Sequence, residues 1–201
     1  MYTLIGTPGT RTFRVLWMLE EIGVPYTHEA APPRSPRATE LNASGKVPIL
    51  LVDGTPLTDS TAILTFLADR HGQLTFPAGS IERARQDGLT NCLLDEFDAL
   101  VWTSARHSFV LPQEQRLPAI KDSIRWEFAQ NAARLAGRLG DGPFLMGETF
   151  TIADIIATHC LDWAERARIT SDAPALATYH MRMRDRPAYR RVADMAAAPA
   201  A

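Results

Sequence analysis

Three threonines lie close together near the start of the chain, in the segment Thr7-Pro8-Gly9-Thr10-Arg11-Thr12. This segment joins a predicted first strand to a predicted first helix, so it places hydroxyl groups beside the amides of a helix N-terminus. Such a position favours an anion or a thiolate. No cysteine precedes Cys92, which excludes a Cys-x-x-Cys redox motif here. The alternative interpretation is that the threonines only cap the helix.

A second candidate is the dipeptide Val47-Pro48, which directly precedes a predicted strand. Proline is tolerated at the first residue of a strand, and an X-Pro bond has only a modest preference for trans. A cis bond would leave the Val47 backbone as an unpaired edge, which can bind an extended peptide. On spacing alone, an ordinary trans proline in a loop is the favoured interpretation.

A third candidate is the segment Thr58-Asp59-Ser60 at the start of another predicted helix. The helix amides suit a ligand carboxylate and Asp59 suits an ammonium, so an α-amino acid head group would satisfy both. The alternative is plain N-capping by Asp59 or Ser60. A similar segment further along, with Thr151 and Asp154, is interpreted as a structural helix cap.

Composition and spacing exclude several classes of function. A net charge of −2 without a basic stripe argues against a nucleic-acid partner, and no apolar run approaches the length of a membrane span. Cys92 and Cys160 are expected to be inert core thiols without a disulfide, which favours a cytoplasmic location. Gly45-Lys46 lacks the surroundings of a phosphate loop, so no nucleotide is expected. No metal is expected either, because metal-ligand spacing is absent among the five histidines, His28, His71, His107, His159 and His180.

The elements that carry these segments follow from hydrophobic periodicity. Residues 1–76 alternate between strand and helix patterns and predict an α/β domain of order β-α-β, loop, β-β-α, with at most one helical turn in the loop. Asp53-Gly54 tolerates positive φ and is expected to close a hairpin. The predicted strands are 2–5, 25–30, 49–52 and 56–58, and the predicted helices are 13–22 and the segment from Ser60 to Gly72.

The rest of the chain, residues 81–201, is predicted to be an all-helical domain after a turn-rich linker at about 77–80. No alternating strand pattern reappears in it. An alanine-rich end, residues 196–201, is expected to be frayed. The predicted helices of this domain are 81–108, 118–139, 151–167 and 174–185.

Taken together, these features resemble the cytosolic glutathione S-transferases, and among them the bacterial members. The resemblance extends over nearly the whole chain and rests on the order and spacing of several segments. These are FRVLWMLEEIGVPY from Phe13, NASGKVPIL from Asn42, TDSTAI from Thr58, FTIAD from Phe150 and RPAY from Arg186. The resemblance implies a thioredoxin-like N-terminal domain of order β-α-β-α-β-β-α, an all-α C-terminal domain, and a homodimer with its sites at the domain junction.

The resemblance also implies a role for individual residues. Val47, before a cis Pro48, would pair its backbone with the cysteinyl part of glutathione. Asp59 and Ser60 match the pair that holds the γ-glutamyl head, and Lys46 stands where a side chain often reaches the glycyl carboxylate.

Catalysis in the family requires the glutathione thiol to ionise near neutral pH. The pKa of a free thiol is about 8.5, and lowering it by about two units takes about 2.7 kcal/mol of preferential thiolate stabilisation. Thr10 best matches the family serine, with Thr7 and Thr12 as fallbacks. Gly9 stands where several classes align their catalytic serine, and the segment from Thr7 to Thr12 contains no tyrosine, serine or cysteine.

The function implied is the addition of glutathione, as co-substrate, to a small hydrophobic electrophile in a detoxification role. Two alternatives stay open: a non-catalytic glutathione- or partner-binding module, and a glutathione-dependent isomerase, dehalogenase or peroxidase. An electrophile pocket would involve the first long helix of the C-terminal domain, with Trp102, Arg106 and Phe109 as candidates.

Overall fold

The computed structural model describes residues 1–198, which form two compact units. The first unit comprises residues 1–78 and 184–198, and the second comprises residues 79–183. The division after residue 78 falls within the predicted linker. Residues 199–201, the tip of the alanine-rich end predicted to be frayed, lie outside the described residues.

The first unit is a four-stranded mixed sheet with helices packed on it. The sheet order is β2-β1-β3-β4, with β1 and β2 parallel and the other neighbours antiparallel. The predicted α/β class and order are confirmed. The elements are β1 (Tyr2–Ile5), α1 (Thr12–Ile22), β2 (Tyr26–Glu29), α2 (Pro36–Leu41), β3 (Ile49–Val52), β4 (Thr55–Thr58) and α3 (Ser60–His71).

Two local features of this unit follow directly from sequence. Asp53 and Gly54 both adopt positive φ, at 49° and 87°, and close the β3–β4 hairpin as a two-residue turn. The predicted single turn after the proline-rich stretch is α2, whose N-cap Ser35 accepts a hydrogen bond from the Ala38 amide. Pro36 is the first residue of α2 and has no amide proton, but an amide at this position would have no acceptor inside the helix.

Helix α1 is the centre of the first unit's core. Its residues from Val15 to Leu19 form an uninterrupted apolar run and are completely buried. It packs against α3 and against the last helix of the chain, α9 (Pro187–Ala197). Tyr189 of α9 places its ring centroid 5.1 Å from that of Phe13 and 5.0 Å from that of Trp17.

Helix α9 is absent from the helices predicted from sequence. It belongs to the first unit by its contacts, whereas sequence analysis placed all residues after 81 in the helical domain. The Arg186 guanidinium donates two hydrogen bonds to the Glu21 carboxylate, at 2.7 and 2.8 Å, and Arg191 binds Glu20 at 2.6 Å. Paired charges therefore anchor this helix to α1 on either side of the aromatic contact.

The second unit is entirely helical among its described residues apart from two isolated bridges in its 144–149 loop. The predicted helix 81–108 is a continuous helical stretch to Val110, but it consists of α4 (Ile81–Leu93), a π-helical turn (Leu94–Asp98), α5 (Ala99–Ala105) and a second π-helical turn (Arg106–Val110). The remaining elements are a short 3-10 turn (Gln113–Gln115), α6 (Ile120–Leu139), α7 (Ile152–Arg166) and α8 (Pro174–Arg184). Between residues 1 and 198, no helix has both the length and the apolar character needed to cross a bilayer.

Candidate functional site

The sheet register brings three distant sequence segments to one end of the first unit. Ile49 pairs with Ile5 of β1 on one side and with Thr58 of β4 on the other. The chain leaving β1 at Gly6, the chain entering β3 at Pro48 and the chain leaving β4 at Asp59 therefore lie side by side. All three candidate segments predicted from sequence meet in this way, although more than 50 residues separate the first from the last.

Asp59 caps helix α3 and still keeps part of its carboxylate available. Its φ is 69°, and Oδ1 accepts hydrogen bonds from the amides of Thr61 at 2.8 Å and Ala62 at 3.1 Å. No hydrogen bond to Oδ2 exists among residues 1–198, and the side chain is exposed. The capping and ligand-binding interpretations are thus compatible, because each uses a different oxygen.

Ser60 offers two donors at the same place. The Ile63 amide donates to the Asp59 carbonyl at 3.0 Å, so with Thr61 and Ala62 capped, the Ser60 amide is the one amide of the first turn without a partner in the described chain. The Ser60 hydroxyl accepts from Nη1 of Arg14 at 3.4 Å, the upper limit for a hydrogen bond. Its own proton can therefore point toward a bound carboxylate.

Arg14 is a charged residue of this site that sequence analysis did not select. Its side chain is completely buried within α1, behind Ser60. An arginine guanidinium carries a positive charge in proteins even where it is buried. The positive charge behind the α3 N-terminus favours an anion there. The available signal was a lone arginine in the apolar run from Phe13 to Leu19.

The Val47–Pro48 peptide bond is cis, whereas spacing alone favoured trans and the family resemblance implied cis. Val47 is half-buried and Pro48 is buried. Within residues 1–198, neither the amide nor the carbonyl of Val47 forms a hydrogen bond. Lys46 is exposed, and its carbonyl accepts from the Asn42 side chain at 2.9 Å. The Val47 backbone is thus an edge that an extended ligand can pair with.

The Thr10 hydroxyl is fully engaged in a local network. It donates to the Thr7 carbonyl at 2.8 Å. Its oxygen also lies 2.9 Å from the Thr12 hydroxyl and 3.2 Å from the Thr12 amide. Because Thr10 has one proton and gives it to Thr7, the hydroxyl of Thr12 is the donor in that contact. Thr10 must release the Thr7 carbonyl before it can donate to a thiolate.

Thr7 and Thr12 occupy opposite environments. Thr12 is completely buried at the start of α1, and its hydroxyl forms a hydrogen bond within the loop, to Thr10. Thr7 is half-buried, and its hydroxyl has no hydrogen-bond partner in residues 1–198. Of the three threonines, Thr7 alone can donate to a ligand without breaking a bond.

Gly6 is the point where the β1–α1 loop approaches the Val47 segment. Its φ is 141°, a Cβ there would lie 2.1 Å from Oγ1 of Thr12 and 3.0 Å from Cβ of Val47, and its amide donates to the Glu29 carbonyl. The imidazole Nε2 of His28 donates to the Gly6 carbonyl at 2.8 Å. This histidine, predicted to have no ligand role, therefore fixes the backbone at the start of the loop.

Replacing Gly6 by alanine is expected to lower the free energy of unfolding by about 2 kcal/mol or more, because a strained φ and overpacking each cost about 1 to 3 kcal/mol. Urea denaturation measures the change. Gly9→Ala is the matched control: Gly9 is exposed, and its added Cβ would meet no atom within 4 Å. Equal stability of the two variants would contradict the proposed crowding at Gly6.

The three electrophile-pocket candidates share one helical stretch of the second unit. Trp102 of α5 is half-buried, with its ring centroid 6.1 Å from that of Trp163. Arg106 and Phe109 belong to the π-helical turn and are exposed, Phe109 by 68%. Trp102 packs against another aromatic ring of the second unit, whereas the side chains of Arg106 and Phe109 are exposed and could contact a ligand.

The helix cap at α7 is a buried hydrogen-bond centre. Oδ2 of Asp154 accepts from the Thr151 amide at 2.8 Å and from its hydroxyl at 3.3 Å. Oδ1 accepts from the Leu145 amide and from the Tyr179 hydroxyl, each at 2.9 Å. Burial raises the pKa of Asp154, and these four hydrogen bonds oppose that rise. The residue joins α7 to the preceding loop and to α8.

Comparison with known proteins adds independent evidence. The sequence matches the family described as "Glutathione S-transferase, N-terminal domain" over residues 10–70 and "Glutathione S-transferase, C-terminal domain" over residues 118–194. It is 30% identical to glutathione S-transferase GstA of Escherichia coli O157:H7 over 151 residues, which covers 73% of this chain and 72% of that protein.

Solved structures show the same fold. The chain superposes on BphK, a bacterial glutathione S-transferase solved as a ternary complex, with a TM-score of 0.87, 24% identity and coverage of 98% of this chain and 100% of that one. The theta class glutathione S-transferase of Xanthomonas axonopodis pv. citri, solved with glutathione bound, gives a TM-score of 0.80 and 26% identity. That match covers 94% of this chain and 95% of the other.

Proposed function

The chain belongs to the glutathione S-transferase family, and we propose that it is an enzyme that adds the thiolate of glutathione to a small hydrophobic electrophile. One observation carries the proposal. At the start of α3, an aspartate oxygen without a partner, the Ser60 amide and the Ser60 hydroxyl lie at the same sheet end as the Val47 backbone edge.

The γ-glutamyl head of glutathione carries an ammonium and a carboxylate on one carbon. In the proposed complex, Oδ2 of Asp59 accepts from the ammonium while the amide and hydroxyl of Ser60 donate to the carboxylate. The buried Arg14 adds positive charge behind Ser60 and strengthens that donor. Each ligand charge thus meets a protein group of opposite polarity.

The cysteinyl part is proposed to pair with the amide and carbonyl of Val47, as an added strand does. This pairing sets the direction of the tripeptide, because the γ-glutamyl end is held at Asp59. The exposed Lys46 next to Val47 is the proposed partner of the glycyl carboxylate. Glutathione is the co-substrate in this scheme, and no nucleotide takes part.

The sulfur is proposed to lie at the β1–α1 loop, where a threonine hydroxyl donates to the thiolate. Thr10 is the first candidate because of its match to the family serine, and Thr7 is the alternative because its hydroxyl is not engaged. The β-branch of threonine restricts its rotamers, so the loop must present the hydroxyl in one orientation. The N-terminus of α1 favours the thiolate as well.

The proposal extends to a homodimer, a cytoplasmic location, a detoxification role and an electrophile pocket that uses Trp102, Arg106 and Phe109. These parts derive from the family resemblance and from the exposure of Arg106 and Phe109. The exposed aromatic ring of Phe109 suits an apolar electrophile.

The hydrogen bond from Thr10 to Thr7 favours one competing function, a glutathione-binding module without conjugating activity. The test is glutathione consumption by the full chain against a panel of aryl halides, enones, epoxides and organic peroxides, with product analysis. Conjugates formed above the uncatalysed rate support a transferase, and peroxide reduction or dehalogenation would assign another glutathione-dependent reaction. Saturable glutathione binding without turnover on any member would replace the enzyme by the binding module.

A further inference from the structure

We propose that the second unit binds a divalent transition metal, with zinc as the best fit, through Asp162, Glu165 and His180. The lack of metal-ligand spacing among the five histidines predicts no metal, but one histidine and two carboxylates can form a site without such spacing. The structure brings one candidate ligand atom of each of these three side chains within 4.8 Å of one another. This site is separate from the proposed glutathione ligands, which all belong to the first unit.

The backbone arrangement accounts for the cluster. Asp162 and Glu165 are three residues apart on α7, so their side chains lie on the same helix face. His180 comes from α8, the next helix, and its Nε2 lies 2.8 Å from Oδ1 of Asp162. Two consecutive helices thus present three ligands at one point.

A rotation of the Glu165 side chain would bring the three ligand atoms to zinc distances. Zinc binds nitrogen and oxygen ligands at about 2.0 to 2.2 Å in a tetrahedral arrangement, so two of its ligand atoms lie about 3.3 to 3.6 Å apart. Nε2 of His180 and Oδ1 of Asp162 are already 2.8 Å apart, and Glu165 is exposed and long, so its carboxylate can move closer to them. The neutral imidazole offers the Nε2 lone pair when its proton sits on Nδ1.

Charge and burial also favour a cation at this point. The Asp162 side chain is 2% exposed and that of His180 is 14% exposed, so both are held in place by packing. Two carboxylates with a neutral imidazole carry the charge that one divalent ion balances. Carboxylates near a helix C-terminus are unfavourable next to the dipole, and Asp162 and Glu165 lie close to the end of α7. A bound cation would offset this cost.

A cavity of about 280 Å³ adjoins the cluster and is lined by Glu165 and His180. Its other walls are largely apolar and include Phe128, Leu161, Ile169 and Leu176. Three protein ligands leave a fourth position of a zinc ion for water. That position would face the cavity, and the ion would tie α7 to α8 across the connecting segment 167–173.

The test is a calorimetric titration of the chelator-treated full chain with zinc chloride. One equivalent is expected to bind the native chain. Removing a residue that only hydrogen-bonds to a metal ligand lowers metal affinity by about 10- to 100-fold. Glu165→Gln removes a proposed ligand itself, so it should weaken zinc binding by at least about tenfold. Glu127→Gln on α6, an exposed glutamate outside the cluster, is the matched control and should bind as the native chain does.

His180→Gln is the second variant and should lose affinity to a similar extent, with circular dichroism as the check on folding. Glu165→Gln decides the outcome if His180→Gln fails to fold, since Glu165 is exposed. Visible absorption of the cobalt-loaded chain should change in Glu165→Gln and stay unchanged in Glu127→Gln. Absence of saturable zinc binding, or equal affinity in native, Glu165→Gln and Glu127→Gln chains, would overturn the proposal.

Discussion

Replacing Asp154 by alanine is expected to lower the free energy of unfolding by about 4 kcal/mol or more. The change leaves the Leu145 amide, the Tyr179 hydroxyl, and both the amide and the hydroxyl of Thr151 without their acceptor in a buried site. An unsatisfied buried donor costs about 1 to 3 kcal/mol, and four donors lose a partner here. Urea denaturation followed by circular dichroism measures the loss. Since a domain of this kind is stable by only about 5 to 15 kcal/mol, the variant should be close to unfolding.

Two further variants keep this prediction decisive. Tyr179→Phe removes one donor and leaves the carboxylate in place, so it should cost only about 1 to 3 kcal/mol and stay folded. Asp122→Ala on α6 removes an exposed carboxylate that pairs with Arg125 at 3.0 Å, and it should cost less than about 0.5 kcal/mol. If Asp154→Ala and Asp122→Ala lowered the free energy of unfolding by similar amounts, the buried hydrogen bonds of Asp154 would contribute no more to stability than an exposed ion pair.

Replacing Thr10 by valine is expected to lower kcat/KM for conjugation by about 100-fold, while the glutathione dissociation constant changes little. Valine has the shape of threonine without the hydroxyl, so the donor to the thiolate is lost together with the local hydrogen bonds between Thr10 and its neighbours Thr7 and Thr12. A thiol pKa that rises by about two units reduces the thiolate fraction near neutral pH by about 100-fold. Steady-state rates as a function of pH measure both effects, and raising the pH should restore much of the activity.

Thr7→Val is the matched comparison, because it changes the same residue type in the same loop. The Thr7 carbonyl that accepts from Thr10 is a backbone group and stays in place. If Thr7→Val loses the activity and Thr10→Val keeps it, the thiolate donor is Thr7. If both keep full activity, the stabilisation of the thiolate comes from backbone amides of the loop, and the hydroxyl assignment is wrong.

Local signals in the sequence were sufficient for most of the first unit. Asp53-Gly54 predicts the hairpin because few residue pairs accept positive φ at both positions. The apolar spacing of α1 predicts a buried helix, and Gly23 ends it in the left-handed conformation. Helix α9 was missed because its contribution to the core is small in number, chiefly Ala188, Tyr189 and Val192, and its remaining contacts are charge pairs with α1.

The sequence predicted most of the residues that belong to the candidate site, but it did not predict their contacts. Asp59 and Ser60 could be selected as a cap or as ligands, but only the structure separates the Asp59 oxygen that caps from the one that remains. The role of Arg14 depends on a contact across 46 residues of sequence. The cluster of Asp162, Glu165 and His180 likewise depends on the packing of α7 on α8, which spacing does not encode.

Binding of glutathione through Asp59 of the first unit can be measured by calorimetric titration with reduced glutathione. Asp59→Asn keeps the oxygen that caps α3 and tolerates the positive φ, but it removes the negative oxygen proposed for the ammonium. A hydrogen bond to a charged group contributes about 1.5 to 3 kcal/mol, so the variant should bind glutathione about tenfold or more weakly with almost unchanged stability.

Asp53→Asn is the control, an exposed aspartate that also has positive φ but lies in the β3–β4 turn. We expect saturable glutathione binding by the native chain, the same affinity in Asp53→Asn, and binding that is about tenfold or more weaker in Asp59→Asn. Absence of glutathione binding by the native chain, or equal affinity in all three chains, would contradict the proposed role of Asp59.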